Sequence, residues 1–145
     1  MPRIEGQDLG RGIPEPVLTI TIINGNLATQ GPAVVDSGAD LTVVPAGIAA
    51  VVGIDFSTLP APTGDSRGAG GSFEARPVRA KIRWRQWDVC DAFQVAEPGS
   101  LDDVLLGRED FFKRFKVSFN WGRTPPILDV DPLAAAPTAR SGKRR

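Results

Sequence analysis

The chain has 145 residues and carries 17 basic and 17 acidic side chains, together with 16 glycines, 13 prolines and no histidine. This length corresponds to one domain, and the many glycines and prolines favour a turn-rich β protein over a helical one. Without histidine, the chain has no Ser-His-Asp or Cys-His catalytic set and no His-ligated metal site. Because the charges balance, we expect neither nucleic acid nor membrane as a partner, and we expect no cofactor.

Residues 1–15 are polar and contain glycine and proline, which predicts an extended N-terminal arm. This segment lacks the apolar core of a signal peptide, and no apolar run in the sequence approaches the length of a membrane span. The lone cysteine, Cys90, excludes an internal disulfide. Together these features predict a cytoplasmic location.

A strand is predicted over 17–23, where apolar and β-branched residues alternate with threonine. The sequence Asn24-Gly25-Asn26 that follows is typical of a hairpin turn. A return strand over 31–35 then leads directly into Asp36.

Asp36 is the first residue of a D-S-G-A-D sequence at 36–40. The strand before it ends in Val34 and Val35, so the carboxylate is partly desolvated, and such a group is either paired with a cation or used as an acid or base. Ser37 and Gly38 end the strand in a tight turn that glycine permits. The alternative interpretation is an Asx turn, in which Asp36 accepts a hydrogen bond from its own backbone.

A Gly-rich segment at 64–73 lies between strand-like segments. It follows a predicted strand over 41–44 and a predicted helix over 46–52 that ends at Gly53. Glycine gives the mobility and the close backbone approach that a lid over a peptide needs, although a plain flexible turn is equally consistent with the pattern. A phosphate loop is excluded, because no Gly-Lys-Ser/Thr sequence follows.

The C-terminal half contains a second notable segment, Leu105-Leu106-Gly107-Arg108, just before a predicted helix. Taken alone, it is consistent with a strand that runs into an amphipathic helix, with Arg108 on a solvated face. The full pattern of this half predicts strands over 76–87, 88–96 and 103–106, a helix over 109–114, a terminal hairpin of strands over 116–121 and 127–130, and a disordered basic tail over 132–145.

The D-S-G-A-D sequence, the Gly-rich segment and the L-L-G-R sequence occur in an order that resembles the retropepsins, the retroviral-type aspartic proteases. The resemblance covers about residues 12–121. It implies an all-β fold: a retropepsin-like closed β-barrel or sandwich with a flap hairpin and one short C-terminal helix. We expect this protease domain to span 16–131, between the arm at 1–15 and the tail at 132–145. The chain also has no tyrosine, which agrees with the retropepsins rather than with the two-domain pepsin-like enzymes, whose flap carries one.

The resemblance implies roles for the residues of the D-S-G-A turn. Asp36 would be the catalytic carboxylate, and Ser37 would bond across a dimer and hold the two loops rigid. Gly38 would offer its carbonyl to the substrate backbone, and Ala39 would leave room for a substrate side chain.

The resemblance also implies a set of substrate-binding and supporting residues outside the turn. Asp40 would accept a substrate N–H while Arg108 orients it, and Leu105 would line a side-chain pocket. Asp102 and Asp103 lie near that pocket in the sequence, so we expect some tolerance of basic substrate side chains there. The flap that covers the peptide would be formed by Gly68, Ala69, Gly70 and Gly71.

Aspartic protease chemistry requires two carboxylates about one water molecule, with one ionised and the other protonated. This chain contains one D-S-G turn, so the second carboxylate is expected from Asp36 of a second copy in a homodimer. A polypeptide substrate is expected for the same reason. Two alternatives remain: a retropepsin-fold module that binds peptides or dimerises without turnover, and an unrelated β domain with a fortuitous D-S-G turn.

Overall fold

A computed structural model of the chain describes residues 2–60, 65–68, 71–134 and 137–138. Among these residues the strands are β1 (Arg3–Glu5), β2 (Gln7–Asp8), β3 (Pro14–Glu15), β4 (Val17–Asn24), β5 (Leu27–Val35), β6 (Val43–Pro45), β7 (Asp65–Gly68), β8 (Gly71–Val78), β9 (Lys81–Trp84), β10 (Trp87–Cys90), β11 (Phe93–Ala96), β12 (Val104–Leu106), β13 (Phe115–Asn120) and β14 (Ile127–Pro132). The helices in the same ranges are α1 (Ala46–Val51), a 3₁₀ turn (Phe56–Thr58) and α2 (Phe111–Arg114). None of them has the length and apolar character of a membrane span.

Eight of the described strands form one sheet that curls into a half-barrel, in the order β10-β9-β4-β5-β12-β6-β11-β8. The hairpin partner of β8, strand β7, extends the sheet at that end. Strand β12 lies parallel to β5 and antiparallel to β6, so the two segments that flank the D-S-G-A-D sequence share one neighbour. The predicted all-β class is confirmed.

The β4–β5 hairpin confirms the turn predicted from Asn24-Gly25-Asn26. Asn24 pairs with Leu27, and Gly25 has φ = +62°, a conformation that glycine adopts without strain. Alternate side chains of β4 are buried, as the alternation of the sequence requires. The return strand begins at Leu27, earlier than predicted, and still ends at Val35.

A cluster of aromatic side chains connects the half-barrel to the C-terminal part of the chain. The rings of Trp84 and Trp87 stack at 5.4 Å, and those of Phe111 and Phe115 stack at 4.7 Å. Trp84 and Phe115 join the two pairs in an edge-to-face contact at 5.6 Å. Since Phe111 and Phe115 are almost fully buried, this cluster fixes α2 and the start of β13 on the sheet.

The prediction of two long strands over 76–87 and 88–96 is wrong, because turns divide this region. Strands β8, β9, β10 and β11 occupy it instead. The turn between β9 and β10 places Arg85 at φ = +55°, a conformation that Asn and Gly usually supply. The two predicted helices are present but shorter, at Ala46–Val51 and Phe111–Arg114.

The chain termini form a second, three-stranded sheet in the order β1-β14-β13. Strands β13 and β14 make the predicted terminal hairpin. The segment expected to form an extended arm contributes β1, which pairs with β14, and the small β2–β3 hairpin. Part of the segment expected to be a disordered tail is paired as well, because Pro137 O accepts a hydrogen bond of 3.0 Å from Asp88 N and Thr138 bridges to Trp87.

Candidate active site

Asp36 directly follows β5, where the strand lies beside β12. The backbone N–H of Asp36 donates to Leu106 O at 3.0 Å, which continues the parallel pairing of Val35 with Leu106. Val35 and Leu106 are both buried, whereas the Asp36 side chain is half-buried. The carboxylate therefore lies at the edge of the core on a strand that cannot shift without disturbing its neighbour.

The D-S-G turn folds back on the Asp36 side chain. Gly38 N donates to Asp36 Oδ1 at 2.8 Å, and Ala39 N donates to Asp36 O at 3.1 Å. A Cβ atom at Gly38 would lie 3.1 Å from the same Oδ1, while the φ of Gly38 is outside the left-handed region. Glycine therefore leaves space beside the carboxylate, where a Cβ atom would be in tight contact, and it does not supply an unusual dihedral. The Asx turn that we considered as an alternative is present. This turn is also compatible with a catalytic role for the Asp36 carboxylate.

The second half of the D-S-G-A-D sequence is held by the segment that follows β12. Arg108 N donates to Ala39 O at 2.9 Å, and Glu109 N donates to Asp40 O at 2.8 Å. The Arg108 guanidinium also forms the expected ion pair with the Asp40 carboxylate. Since these two side chains are 53% and 75% exposed, the ion pair contributes at most about 1 kcal/mol to stability, and the backbone hydrogen bonds are the main clamp.

Thr42 and Asp110 form a further contact that the sequence did not indicate. Thr42 is fully buried. Its hydroxyl oxygen accepts from Gly107 N at 3.1 Å, and its own N–H donates to Asp110 Oδ2 at 2.7 Å. The two segments are 68 residues apart in sequence, so only the fold brings them together. Together with the Ala39 and Asp40 hydrogen bonds, these contacts fix the loop that carries Asp36.

Leu105 lies at the centre of β12, with Val34 and Val43 as its neighbours on the two flanking strands. Its side chain is half-buried, unlike those of Val104 and Leu106, which are buried. Leu105 therefore presents an apolar surface on the opposite face of the strand from the core, one position away from the residue that pairs with Asp36 N. This placement is compatible with the predicted side-chain pocket.

The β7–β8 hairpin contains the segment predicted to be the flap. Its two strands pair in antiparallel register as far as Gly68 and Gly71. The remaining predicted flap residues, Ala69 and Gly70, lie outside the described residues.

Asp103 makes an ion pair that the sequence did not indicate. Its Oδ2 accepts a hydrogen bond of 2.7 Å from Arg11 Nη2, and Arg11 Nε donates to Glu15 Oε2 at 2.8 Å. The tolerance of basic substrate side chains was predicted from the position of Asp102 and Asp103 near the pocket in the sequence. In the structure the Arg11 charge compensates that of Asp103, and the tolerance itself stays a prediction.

Asp8 organises the turn that carries Arg11. Its Oδ1 accepts from the N–H groups of Gly10, Arg11 and Gly12 at 2.8, 2.9 and 3.0 Å. The hydrogen bonds from Gly10 and Gly12 lower the pKa of Asp8. Both glycines have positive φ, which lets the backbone wrap around the carboxylate.

The family model for aspartyl protease matches residues 18–109, which is more than half of the chain. The chain therefore belongs to the aspartyl protease family. The matched region begins in β4 and ends just after Arg108, so it contains the D-S-G-A-D turn, the β7–β8 hairpin and the clamp formed by Gly107 and Arg108.

Solved structures show the same fold. The retropepsin-like aspartic protease from Rickettsia conorii is similar with a TM-score of 0.55 and 16% identity, over 92% of this chain and 94% of that one. The EIAV protease, solved with the inhibitor HBY-793, is similar with a TM-score of 0.50 and 19% identity, over 71% of this chain and 88% of that one. None of the curated proteins matches the sequence. The resemblance to the retropepsin-like proteases is thus confirmed.

Proposed function

We propose that this chain is a homodimeric aspartic endopeptidase in which one water molecule is activated between two Asp36 carboxylates. The observation that carries the proposal is the D-S-G turn itself, held between β5 and β12 by backbone hydrogen bonds on both sides. Because the sequence has one such turn, the second carboxylate comes from a second copy across a two-fold axis. The proposed protease domain spans 16–131, and β1 adds an outer strand to it.

The chemistry requires the two Asp36 side chains to share one proton. Two carboxylates held close together cannot both ionise, so one remains protonated. The ionised Asp36 takes a proton from the water, whose oxygen attacks the carbonyl carbon of the scissile peptide bond. The protonated Asp36 donates its proton to the carbonyl oxygen. The C–N bond of the resulting tetrahedral intermediate then breaks as the nitrogen takes the proton that the first Asp36 accepted from the water. The second Asp36 regains its proton from a hydroxyl of the intermediate, which leaves a carboxylic acid and an amine and restores the shared proton.

The neighbouring residues have supporting roles in this proposal. Ser37, exposed beside Asp36, would bond across the dimer and hold the two loops in place. The carbonyl of Gly38 would accept from the substrate backbone, and Ala39 would leave space for a side chain. Arg108 would orient Asp40 so that its carboxylate accepts a substrate N–H.

The substrate would be a polypeptide bound in an extended conformation, since an extended chain can pair with strand-like segments of the cleft. The β7–β8 hairpin would cover it as a flap, and Leu105 would contact one of its side chains. The flap residues in this proposal are Gly68, Ala69, Gly70 and Gly71.

The test is cleavage of a diverse peptide library, analysed by mass spectrometry from about pH 4 to 7, where a shared-proton dyad titrates. The native chain is expected to cut peptides, and Asp36→Asn is expected to abolish cutting. Asp131→Asn is the matched control, because it removes a carboxylate of β14 without touching the D-S-G turn. Cleavage that persists in Asp36→Asn would contradict the proposed mechanism.

The second candidate is a module that binds peptides or dimerises without cutting, because a fold does not determine turnover. The hydrogen bond from Gly38 N to Asp36 Oδ1 serves this candidate equally well, since it gives the carboxylate a purely structural partner. A folded dimer that binds library peptides but cuts none of them at any pH would support it.

A further inference from the structure

The β2–β3 hairpin has no role in the catalytic steps proposed above. It consists of Gln7–Asp8 and Pro14–Glu15, joined by a loop over 9–13. It precedes residue 18, where the match to the aspartyl protease family begins. The sequence predicted an extended arm here, whereas the structure holds the hairpin at its root, its base and its tip. Each of these attachments bears on the site around Asp36.

The root of the hairpin lies beside the end of β5. Pro16, the residue that follows the hairpin, accepts a hydrogen bond of 2.8 Å at its carbonyl oxygen from Val35 N. The pairing continues along the sheet with Val17 opposite Val34. Since Val35 directly precedes Asp36, the hairpin leaves the sheet next to the D-S-G turn.

The base of the hairpin is held from the other side by the segment between β13 and β14. Gly6 N donates to Pro126 O at 2.9 Å. A Cβ atom at Gly6 would lie 3.1 Å from Pro14 Cβ and 3.3 Å from the Trp121 ring. The chain therefore passes closely between the start of β3 and the indole, which fixes the direction in which the hairpin extends.

The tip of the hairpin meets the segment that precedes β12. Arg11 Nη2 donates to Asp103 Oδ2 at 2.7 Å and also lies 2.8 Å from Glu15 Oε2. One guanidinium thus connects the tip both to β3 and to the residue two positions before Leu105. Leu105 is half-buried, on the opposite face of β12 from its buried neighbours. The hairpin therefore extends from the strand end at Asp36 to the proposed side-chain pocket.

Ile13 is the large apolar side chain of the hairpin loop, and it is 61% exposed. Exposed apolar side chains are common on protein surfaces, so the exposure of Ile13 matters through its position. It lies two residues after Arg11, in a loop whose backbone is held by three hydrogen bonds to Asp8 Oδ1. The side chain is thus presented beside the pocket by a loop of defined conformation.

We propose that the β2–β3 hairpin forms a wall of the substrate cleft and that Ile13 contacts an apolar side chain of the bound polypeptide. This inference rests on the proposed function, which places an extended polypeptide across Asp36 and Leu105. Side chains two positions apart in an extended chain point to the same side, about 7 Å from each other.

This spacing assigns the contact to a particular substrate residue. The Arg11–Asp103 ion pair holds the hairpin tip two residues away from Leu105. Ile13 therefore contacts the substrate side chain two positions from the one that contacts Leu105. The preferred substrates are polypeptides with apolar side chains at these two alternate positions.

The test compares leucine with asparagine at each position of a peptide library. In Ile13→Ser the preference for leucine is expected to fall about fivefold at one position, because a partly exposed apolar contact is lost, and to persist at the others. Leu105→Val is expected to alter the preference two positions away. Leu27→Ser is the matched control: Leu27 is 47% exposed, but it lies at the far end of β5, about 27 Å from Val35.

The preferences are measured twice, as cleavage by the native catalytic loop and as peptide binding in the Asp36→Asn background. A lower preference in Ile13→Ser by binding, in a chain that cuts nothing, would support the hairpin contact and contradict the protease. Cleavage with the same preferences in Ile13→Ser and the native chain would overturn the contact and leave the protease. Equal effects of Ile13→Ser and Leu27→Ser would also overturn the contact, and a chain that neither cuts nor binds the peptides would contradict both proposals.

Variants of Asp8 test whether the conformation of the loop positions Ile13. Asp8→Ala removes the acceptor of three backbone N–H groups, so we expect it to lower the preference for leucine at the same position as Ile13→Ser. The loss should occur in KM rather than in kcat. Asp8→Asn retains an oxygen that accepts these hydrogen bonds and should keep the preference. An unchanged preference in Asp8→Ala would contradict the proposed position of Ile13, as would an equal loss in the two Asp8 variants.

Discussion

The backbone of Gly107 lies directly against the backbone of Leu41. A Cβ atom at Gly107 would be 2.5 Å from the carbonyl carbon of Leu41 and 2.6 Å from its oxygen. These atoms belong to the main chain, so they cannot move aside as a flexible side chain can. The close approach lets Gly107 N reach the hydroxyl of Thr42 and lets Arg108 reach Ala39 O. The absence of a side chain at Gly107 is therefore what allows the clamp on the loop that carries Asp36 to form.

We predict that Gly107→Ala destabilises the protein by about 3 kcal/mol, the upper end of the range for overpacked sites, because its methyl group would collide with main-chain atoms. Peptide cleavage should fall with it. The measurement is urea unfolding followed by tryptophan fluorescence. Gly47→Ala is the matched control: Gly47 lies in α1, where an added Cβ would meet no atom within 4 Å beyond its chain neighbours and the backbone of its own helix. There the substitution should stabilise by roughly 0.5–1 kcal/mol, and an equal loss at both sites would contradict this explanation.

The Asp110 carboxylate is predicted to stabilise the loop through the buried N–H of Thr42. Asp110→Ala would leave this N–H without its acceptor, which costs about 1–3 kcal/mol. Asp110→Asn retains an oxygen at the same place and should lose less. The comparison is made by urea unfolding, with the exposed Asp102→Ala as control, which should change stability by less than about 0.5 kcal/mol. If Asp110→Ala behaves like the control, the hydrogen bond to Thr42 is not important for stability.

The parts of the fold that were predicted correctly carry strong local signals. The β4–β5 hairpin has alternation and an Asn-Gly turn, and the D-S-G-A-D sequence ends a buried strand. The turn after Trp84 carries no such signal, because Arg85 adopts a positive φ in a run that is otherwise typical of a strand. Its conformation is set by the stacking of Trp84 on Trp87 and by the pairing of β9 with β10. Tertiary contacts thus override the local propensity.

The candidate site divides in the same way between local and long-range information. Asp36 and its turn follow from neighbouring residues. The pairing of Asp40 with Arg108 was expected only because the order of motifs resembles a known family. The contacts of Thr42 with Asp110, and of Arg11 with Asp103, join residues 68 and 92 positions apart, and no periodicity in the sequence relates them. Such contacts emerge only when the sheets are assembled.

The stability of the protein is predicted to decrease as the pH rises above about 8.5, because of Cys90. Burial raises the pKa of its thiol from 9.0 to about 12. At a pH between these two pKa values, the thiol is deprotonated in the unfolded chain and protonated in the folded chain. A rise in pH therefore favours unfolding. We expect a loss of about 1 kcal/mol between pH 7.5 and 9.5. Because the chain has no histidine and no tyrosine, few other side chains titrate in this window.

Urea unfolding at the two pH values tests this dependence, with Cys90→Ala as the comparison. The variant is expected to be less stable at both pH values, since it leaves a cavity in the core, but its stability should change less with pH. A pH dependence that is unchanged in Cys90→Ala would show that another group is responsible.

Arg11 is predicted to control how the cleft treats basic substrate side chains. Its guanidinium pairs with Asp103, two residues before Leu105, and so compensates a carboxylate beside the proposed side-chain pocket. Arg11→Gln would release that carboxylate. We expect a rise of at most about fivefold in the kcat/KM for peptides with a basic residue at this subsite, relative to that for neutral peptides, because solvent screens an exposed charge. Asp103→Ala alone should change the ratio little, because it removes a charge that is already compensated and leaves Arg11 paired with Glu15.

The control for Arg11 is Arg3→Gln, which breaks an ion pair of similar exposure and length with Asp129 on the terminal sheet. It changes the net charge by the same amount but lies on a different element. If the two substitutions alter the preference equally, the effect comes from overall charge. If Asp103→Ala lowers the ratio in the native chain while Arg11→Gln leaves it unchanged, Asp103 already acts as a free carboxylate in solution. A guanidinium that remained bound to Asp103 would screen that carboxylate from the substrate. This outcome would therefore show that the Arg11–Asp103 ion pair has no influence on specificity.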